Sequence, residues 1–251
     1  MSEYFKSNII FSVEGNIGSG KSTYVKYLEN FCNTKKKYFN NCEESNWNTI
    51  DNYQNYIFLQ EPVKLWEEIT DENNIPILTK FYENTKKYSF QFQMMAYISR
   101  LSILKEAINT NPNKKIISER SLDTDKFVFE KMLYDGGMIE EIEHKIYNKW
   151  FYDFQKESRI NAIIYIKTEP EICYERVIKR NREGETIELD YLKNCHKYHE
   201  KWINNVNKPV LVIDGNKEND PDIINKNVGE TTNFISKLID EKKTNNNFSL
   251  I

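Results

Sequence analysis

The sequence predicts an α/β domain built on a parallel sheet, and three observations carry that expectation. Five short apolar runs recur along the chain: Ile9–Val13, Ile57–Leu59, Ile116–Ile117, Ala162–Ile166 and Val210–Ile213. They are rich in Ile and Val and do not alternate with polar residues, which fits strands covered on both faces. Segments with helical spacing lie between them. Phe92, Met95, Ile98, Leu101, Leu104 and Ile108 step by three and four residues, as do Ile139, Ile142, Ile146, Trp150 and Phe154. Finally, a glycine-rich turn follows the first run directly. Strands alternating with helices imply right-handed crossovers between parallel neighbours.

Charge and composition narrow the class. The 251 residues carry 35 Lys+Arg and 38 Asp+Glu, a formal charge of −3, which argues against a nucleic-acid coat or a basic membrane binder. No run approaches the about 20 apolar residues of a membrane span. The opening MSEYFKSNIIFSVEG lacks the charged-then-apolar pattern of a secretory leader, so a cytoplasmic protein is expected. Cys32, Cys42, Cys173 and Cys195 show no C-x-x-C spacing and read as reduced thiols. Residues 1–241 read as one domain, with an irregular polar loop at Asn33–Asn55, and 242–251 as a flexible tail.

The turn after the first run reads Gly15-Asn16-Ile17-Gly18-Ser19-Gly20-Lys21-Ser22-Thr23, matching the P-loop pattern G-x-x-x-x-G-K-[ST]. Such a loop points backbone N–H groups at a phosphate, and the helix starting near Lys21 adds its positive dipole end. Lys21 would reach the outer phosphates and the Ser22 hydroxyl would ligate Mg²⁺. A P-loop names a nucleotide and not what is done with it.

Two charged clusters sit where an open α/β sheet places its ligands, beyond the C-terminal ends of strands. Glu61-Pro62 follows Ile57–Leu59, and Glu61 reads as a general base for a hydroxyl or as a solvated loop acid. Ser118-Glu119-Arg120-Ser121 follows Ile116–Ile117. There Glu119 could serve Mg²⁺ and Arg120 a phosphoryl group, or the two could form a surface ion pair. Arg176, Arg180 and Arg182 follow the fourth run on a helix begun at Glu169-Pro170. They suit a lid over transferring phosphate, or a solvated basic face. His196 and His199 lack companions at ligand spacing and read as structural.

Taken together, EGNIGSGKST, QEPVKLW (Gln60–Trp66), YSFQFQ (Tyr88–Gln93), ERSLDTDKFVF (Glu119–Phe129) and ERVIKRNREGETIELDYL (Glu175–Leu192) resemble the deoxyribonucleoside kinase family, in family order over nearly the whole chain. The resemblance implies a P-loop kinase fold, an α/β sheet of five parallel strands in the order 2-3-1-4-5 flanked by helices, with an arginine-rich lid near 176–187. It also implies transfer of the ATP γ-phosphate to the 5′-hydroxyl of a deoxyribonucleoside, with Mg²⁺, in DNA precursor salvage. By carry-over, Glu61 is the base and Arg120 holds it and the reacting oxygen. Ser22 and Glu119 serve Mg²⁺, while Tyr82 and Glu185, rather than Glu183, take the 3′-hydroxyl. Gln93 pairs with the base edge, Trp66 and Phe129 enclose its ring, and Arg176, Arg180 and Arg182 form the lid. The run Val210–Asp220, with Asp214 and Asn216, resembles the adenine loop. Family members usually form homodimers through two long helices, for which Phe92–Ile108 and Ile139–Phe154 are the candidates.

Ala96, Arg100 and Asp125 match members that accept deoxycytidine and purine deoxynucleosides, because thymidine-preferring members replace the charged pair with apolar residues. Deoxycytidine, deoxyadenosine and deoxyguanosine are therefore expected over thymidine. Two rivals share the P-loop: a nucleoside monophosphate kinase of the thymidylate type, and a regulatory module that binds ATP without transferring phosphate. Neither nucleic acid nor membrane is an expected partner.

Overall fold

The structure, a computed structural model, describes residues 8–40, 55–182, 184–217 and 220–248, and at 35–40 and 242–248 the backbone alone. Each predicted apolar run is a strand: β1 (Ile9–Glu14), β2 (Tyr56–Leu59), β3 (Lys115–Glu119), β4 (Ala162–Lys167) and β5 (Val210–Asp214). All neighbours are parallel, in the order β2-β3-β1-β4-β5.

The paired apolar residues explain why the runs do not alternate. Ile10, Ile116, Ile163 and Tyr165 face one helical layer, while Phe11, Ile117, Ile164 and Ile166 face the other. Successive side chains of a strand point to opposite faces, so a strand covered twice must be apolar at consecutive positions. The first layer contains α3 (Ile77–Glu83), α4 (Thr85–Thr110) and α9 (Leu189–Asn205), which contribute Phe81, Phe92, Ala96, Leu104 and Trp202. The second contains α1 (Lys21–Asn40) and α10 (Pro221–Phe248), through Val25, Leu28, Val228, Ile235 and Ile239.

Several expectations change. The segment expected to be a loop from Asn33 is helical as far as Asn40, because α1 continues, and 41–54 lies outside the described residues. The sequence reading did not anticipate α10, whose backbone carries 242–248, while 249–251 lies outside the described residues. On α7 (Glu141–Phe154) the expected stripe is not the buried one. Tyr147 and Phe151 pack on Tyr97 and Leu101 of α4, whereas Ile142, Ile146 and Trp150 are 62%, 40% and 44% exposed. Two apolar stripes compete on this helix, and period alone cannot say which one meets the core.

Strand register builds the site. Val13 pairs with Glu119, Leu59 with Ser118 and Glu14 with Tyr165, so β1, β2 and β3 end at one level. The phosphate loop, Glu61 and Arg120 therefore emerge side by side. After β3 the chain turns into α5 (Leu122–Thr124), a π-helical stretch (Asp125–Glu130) and α6 (Lys131–Asp135). Such wide turns gather at functional sites, and here Asp125 and Phe129 both line the cleft.

Candidate active site

A cleft of about 1750 Å³ runs along the C-terminal edge of the sheet. Its walls include Ile17 through Thr23, Glu61, Trp66, Tyr82, Gln93, Ala96, Arg100, Glu119, Arg120, Asp125 and Phe129. They also include Arg176, Arg180, Arg182, Glu185, Asp214 and Asn216. Gly15 and Asn16, expected to touch nucleotide, do not line it. Gly15 has φ +147°, and a Cβ there would come 2.5 Å from the Ile166 carbonyl oxygen. Asn16 is buried and braces the loop, its amide donating to the Leu192 carbonyl at 2.9 Å. Both help to shape the loop.

At the phosphate end Lys21 donates to the Asn16 carbonyl at 2.7 Å. Burial, with the nearby Arg120 cation adding to it, lowers its ammonium pKa to about 8. The Ser22 hydroxyl donates to Glu119 at 2.6 Å, so the two residues expected at Mg²⁺ meet. A hydroxyl and a carboxylate are hard oxygen donors of the kind Mg²⁺ takes alongside phosphate and water. Among the described residues no group of three or more His, Cys, Asp or Glu could hold a metal ion. His199 is buried, stacked on Tyr165 and edge-on to Phe129.

In the middle of the cleft two arginines converge on one carboxylate oxygen. Arg100 Nη2 and Arg120 Nε each lie 3.1 Å from Glu61 Oε1. Burial alone would raise this carboxyl, but Arg120, Arg100 and Lys21 outweigh it and hold the group at about 2. Arg100 also grips Asp125 with two bonds, at 2.9 and 3.3 Å, and donates to the Glu119 carbonyl at 3.0 Å. Arg120 donates to the Gly15 carbonyl at 3.0 Å, and its guanidinium lies 4.7 Å over the Phe129 ring.

Beyond this charged belt the cleft turns apolar. Trp66 meets Phe92 edge-on and donates through its indole N–H to Ser99 at 2.9 Å. Phe81 stacks on Phe92, and Ala96 and Phe129 complete the wall. Gln93 is buried here and its Oε1 accepts no hydrogen bond among the described residues. Gln60 Nε2 and Ser19 Oγ are likewise unpartnered along the same cleft. Buried polar atoms are ordinarily paired, so three orphans lining one cavity fit a polar ligand.

The lid residues lie at the mouth. Arg180 pairs with Glu185, and Arg182 approaches the same carboxylate at 3.9 Å. Arg176 reaches the Lys217 carbonyl at 3.3 Å. Gly184, with φ +72°, lets the backbone pass Thr79 and bring Glu185 beside Tyr82, whose hydroxyl burial and that carboxylate push up. Glu183 lies outside the described residues. Asp214 accepts from its own Asn216 N–H at 3.0 Å, and Asn216 accepts from Glu169 N–H at 2.8 Å, fixing the turn after β5. The sequence reading missed Phe81, Gln60 and Tyr191 as lining residues. For Phe81 and Tyr191 the only signal is an aromatic in a helix, which core residues give equally.

The lowered Lys21 pKa has a definite sign. The cation is present below about pH 8 and is lost above it, so ATP affinity of the free protein should weaken as pH rises from 7 to 9. The loss approaches about tenfold per unit above that pKa. Titration calorimetry across that range checks this; constant affinity would contradict it.

Comparison with known proteins agrees with this geometry. The deoxynucleoside kinase family profile matches residues 11–236. A fowlpox virus (strain NVSL) protein named "Probable deoxycytidine kinase FPV151" is 36% identical over 213 residues, 81% of this chain and 77% of that protein. A mitochondrial deoxyguanosine kinase of Xenopus laevis is 31% identical over 231 residues, 80% and 79% of the two chains. Deoxycytidine kinase of Homo sapiens is 30% identical over 213 residues, 76% and 74%. The match spans the phosphate loop, the Glu61–Arg100–Arg120 cluster and the lid, and the chain belongs to the deoxynucleoside kinase family, enzymes that phosphorylate deoxynucleosides.

Proposed function

We propose that this kinase transfers the ATP γ-phosphate to the 5′-hydroxyl of deoxycytidine, deoxyadenosine or deoxyguanosine in preference to thymidine. The observation that carries this reading is the shared Glu61 oxygen. With Oε1 held by two arginines, Glu61 Oε2, which no described residue bonds, is available for the substrate hydroxyl. A carboxylate held this low is a weak base in the free protein. Phosphoryl transfer asks mostly for orientation and charge stabilisation, with the proton leaving as the oxygen–phosphorus bond forms. Arg120 then steadies both Glu61 and the reacting oxygen, and Tyr82 with Glu185 takes the 3′-hydroxyl.

Mg²⁺ would be held by Ser22 and Glu119, and when bound it neutralises phosphate charge. Arg176, Arg180 and Arg182 close over the phosphates as a lid at 176–187 of one kinase domain, 1–241. Asp214 and Asn216 shape the adenine loop. Gln93 offers its free carbonyl oxygen to the base edge, between Trp66 and Phe129. Buried Arg100 and Asp125 fill the space beside the pyrimidine ring that a 5-methyl group would need. The substrates named for the relatives, deoxycytidine and deoxyguanosine, agree with that pair. A monophosphate acceptor fits less well, because Glu61 would repel a second phosphate.

The same chain is proposed to form a homodimer through α4 and α7. The exposed apolar residues Ile98 on α4 and Ile142, Ile146 and Trp150 on α7 support this, since large apolar side chains left exposed on packed helices suit an interface. Buried free thiols at Cys32, Cys173 and Cys195 fit the reducing cytosol, and among the described residues no helix could cross a membrane.

Three tests follow. The purified protein with ATP and Mg²⁺ should convert deoxycytidine and purine deoxynucleosides to monophosphates, and Glu61→Gln should lower turnover by about 10²–10⁴-fold with ATP binding kept. Turnover of dTMP alone would replace this reading with its rival. Arg100→Met combined with Asp125→Ala should move preference toward thymidine, and an unchanged ranking would remove the pair from base selection. Trp150→Glu should turn a dimer into a monomer in sedimentation equilibrium; a wild-type monomer would refute the interface.

A further inference from the structure

Glu14 is a buried acid that the proposed reaction does not use. It ends β1, is fully buried, and among the described residues no cation bonds it. Three hydroxyls donate to it instead: Ser12 and Ser121 to Oε1, the latter at 2.6 Å, and Thr124 to Oε2. Burial pushes its carboxyl up against the pull of these hydroxyls and of the more distant Arg120 charge. An acid kept in such a place costs stability unless it organises something.

What it organises is the turn that carries Arg120. Arg120 has φ 63°, a left-handed conformation that a side-chain-bearing residue keeps only when its surroundings hold it. Three consecutive residues supply the hold, Val13 and Glu14 at the end of β1 and Gly15 just after it. The Val13 carbonyl accepts from the Arg120 N–H at 2.9 Å, and the Gly15 carbonyl accepts from its guanidinium at 3.0 Å. Between them Glu14 takes the Ser121 and Thr124 hydroxyls, while Ser121 Oγ also caps α5 by accepting from Thr124 N–H at 3.2 Å. Glu14 thus ties the strand leading into the phosphate loop to Ser121 and Thr124, the residues that start the turn into Asp125.

We propose that Glu14 is a positioning residue: through Ser121 and Thr124 its carboxylate fixes the left-handed turn at Arg120, and so aims Arg120 at Glu61 and at the phosphate loop. The consequence for catalysis rests on the reading of Glu61 as base, but the positional claim does not. Glu14→Gln keeps the shape and replaces the all-acceptor carboxylate with an amide. Ser121→Ala leaves Glu14 in place and cuts its bond to the turn.

The experiment reads Arg120 directly. In ¹H–¹⁵N spectra the Arg120 Nε–H, buried and ion-paired with Glu61 Oε1 at 3.1 Å, should give a slowly exchanging signal identified by its loss in Arg120→Lys. In Glu14→Gln and in Ser121→Ala the signal should exchange at least about tenfold faster, while melting stays within about 5 °C of the unaltered protein. Turnover should fall about ten- to a hundredfold with the KM for deoxynucleoside within about threefold. An unchanged Arg120 signal in both variants overturns the proposal, whatever happens to melting. Loss of the folded state in both assigns Glu14 to stability alone and overturns it too. A displaced signal with Glu61→Gln fully active would leave the positional claim standing and refute only the base.

Discussion

The Arg120 guanidinium stands where the three central loops of the sheet meet, and the rest of the cleft is arranged around it. It donates to the first carbonyl of the phosphate loop, forms an ion pair with the Glu61 carboxylate after β2, and covers Phe129 from the π-helical stretch. Its own backbone is locked to β1 through the Val13 carbonyl. A planar, permanently charged fork can satisfy several directions at once, which a lysine at this place could not do. Because parallel register brings β1, β2 and β3 to one level, a single side chain can reach all of these groups.

Charge in this belt is balanced by pairing between side chains. Arg100, Arg120 and Lys21 face Glu61, Glu119 and Asp125, all at the sheet edge. Such a set is expensive to bury, and removing one member leaves its partners unpaired. It therefore behaves as a unit, and Arg100, bonded to both Asp125 and Glu61, joins the two carboxylates. The proposed selection of the nucleobase and the proposed placement of the hydroxyl would thus depend on one network.

The cleft changes character along its length, from backbone N–H groups and cations to aromatic walls with isolated amides. That gradient matches a ligand with phosphates at one end and a flat, polar-edged ring at the other. The unpartnered oxygen of Gln93 and hydroxyl of Ser19 lie toward these two ends.

The sequence by itself determined the five strands, the phosphate loop and the two acids at strand ends, because consecutive Ile and Val residues and a G-x-x-x-x-G-K-S turn have few other uses. The motif resemblance extended that to the family and to the cleft residues. Sequence did not reveal that Gly15 and Asn16 shape the loop from behind, that Phe81 and Tyr191 line the cleft, or that α10 covers the second face. Nor did it say which apolar stripe of α7 meets the core. These depend on contacts between residues far apart in the chain, and an aromatic in a helix has the same pattern whether it faces core, cleft or solvent. Only the tertiary structure decided that Arg100 and Arg120 share one oxygen of Glu61 and that Glu14 holds the turn behind them, because strand register, which no local pattern encodes, sets those distances.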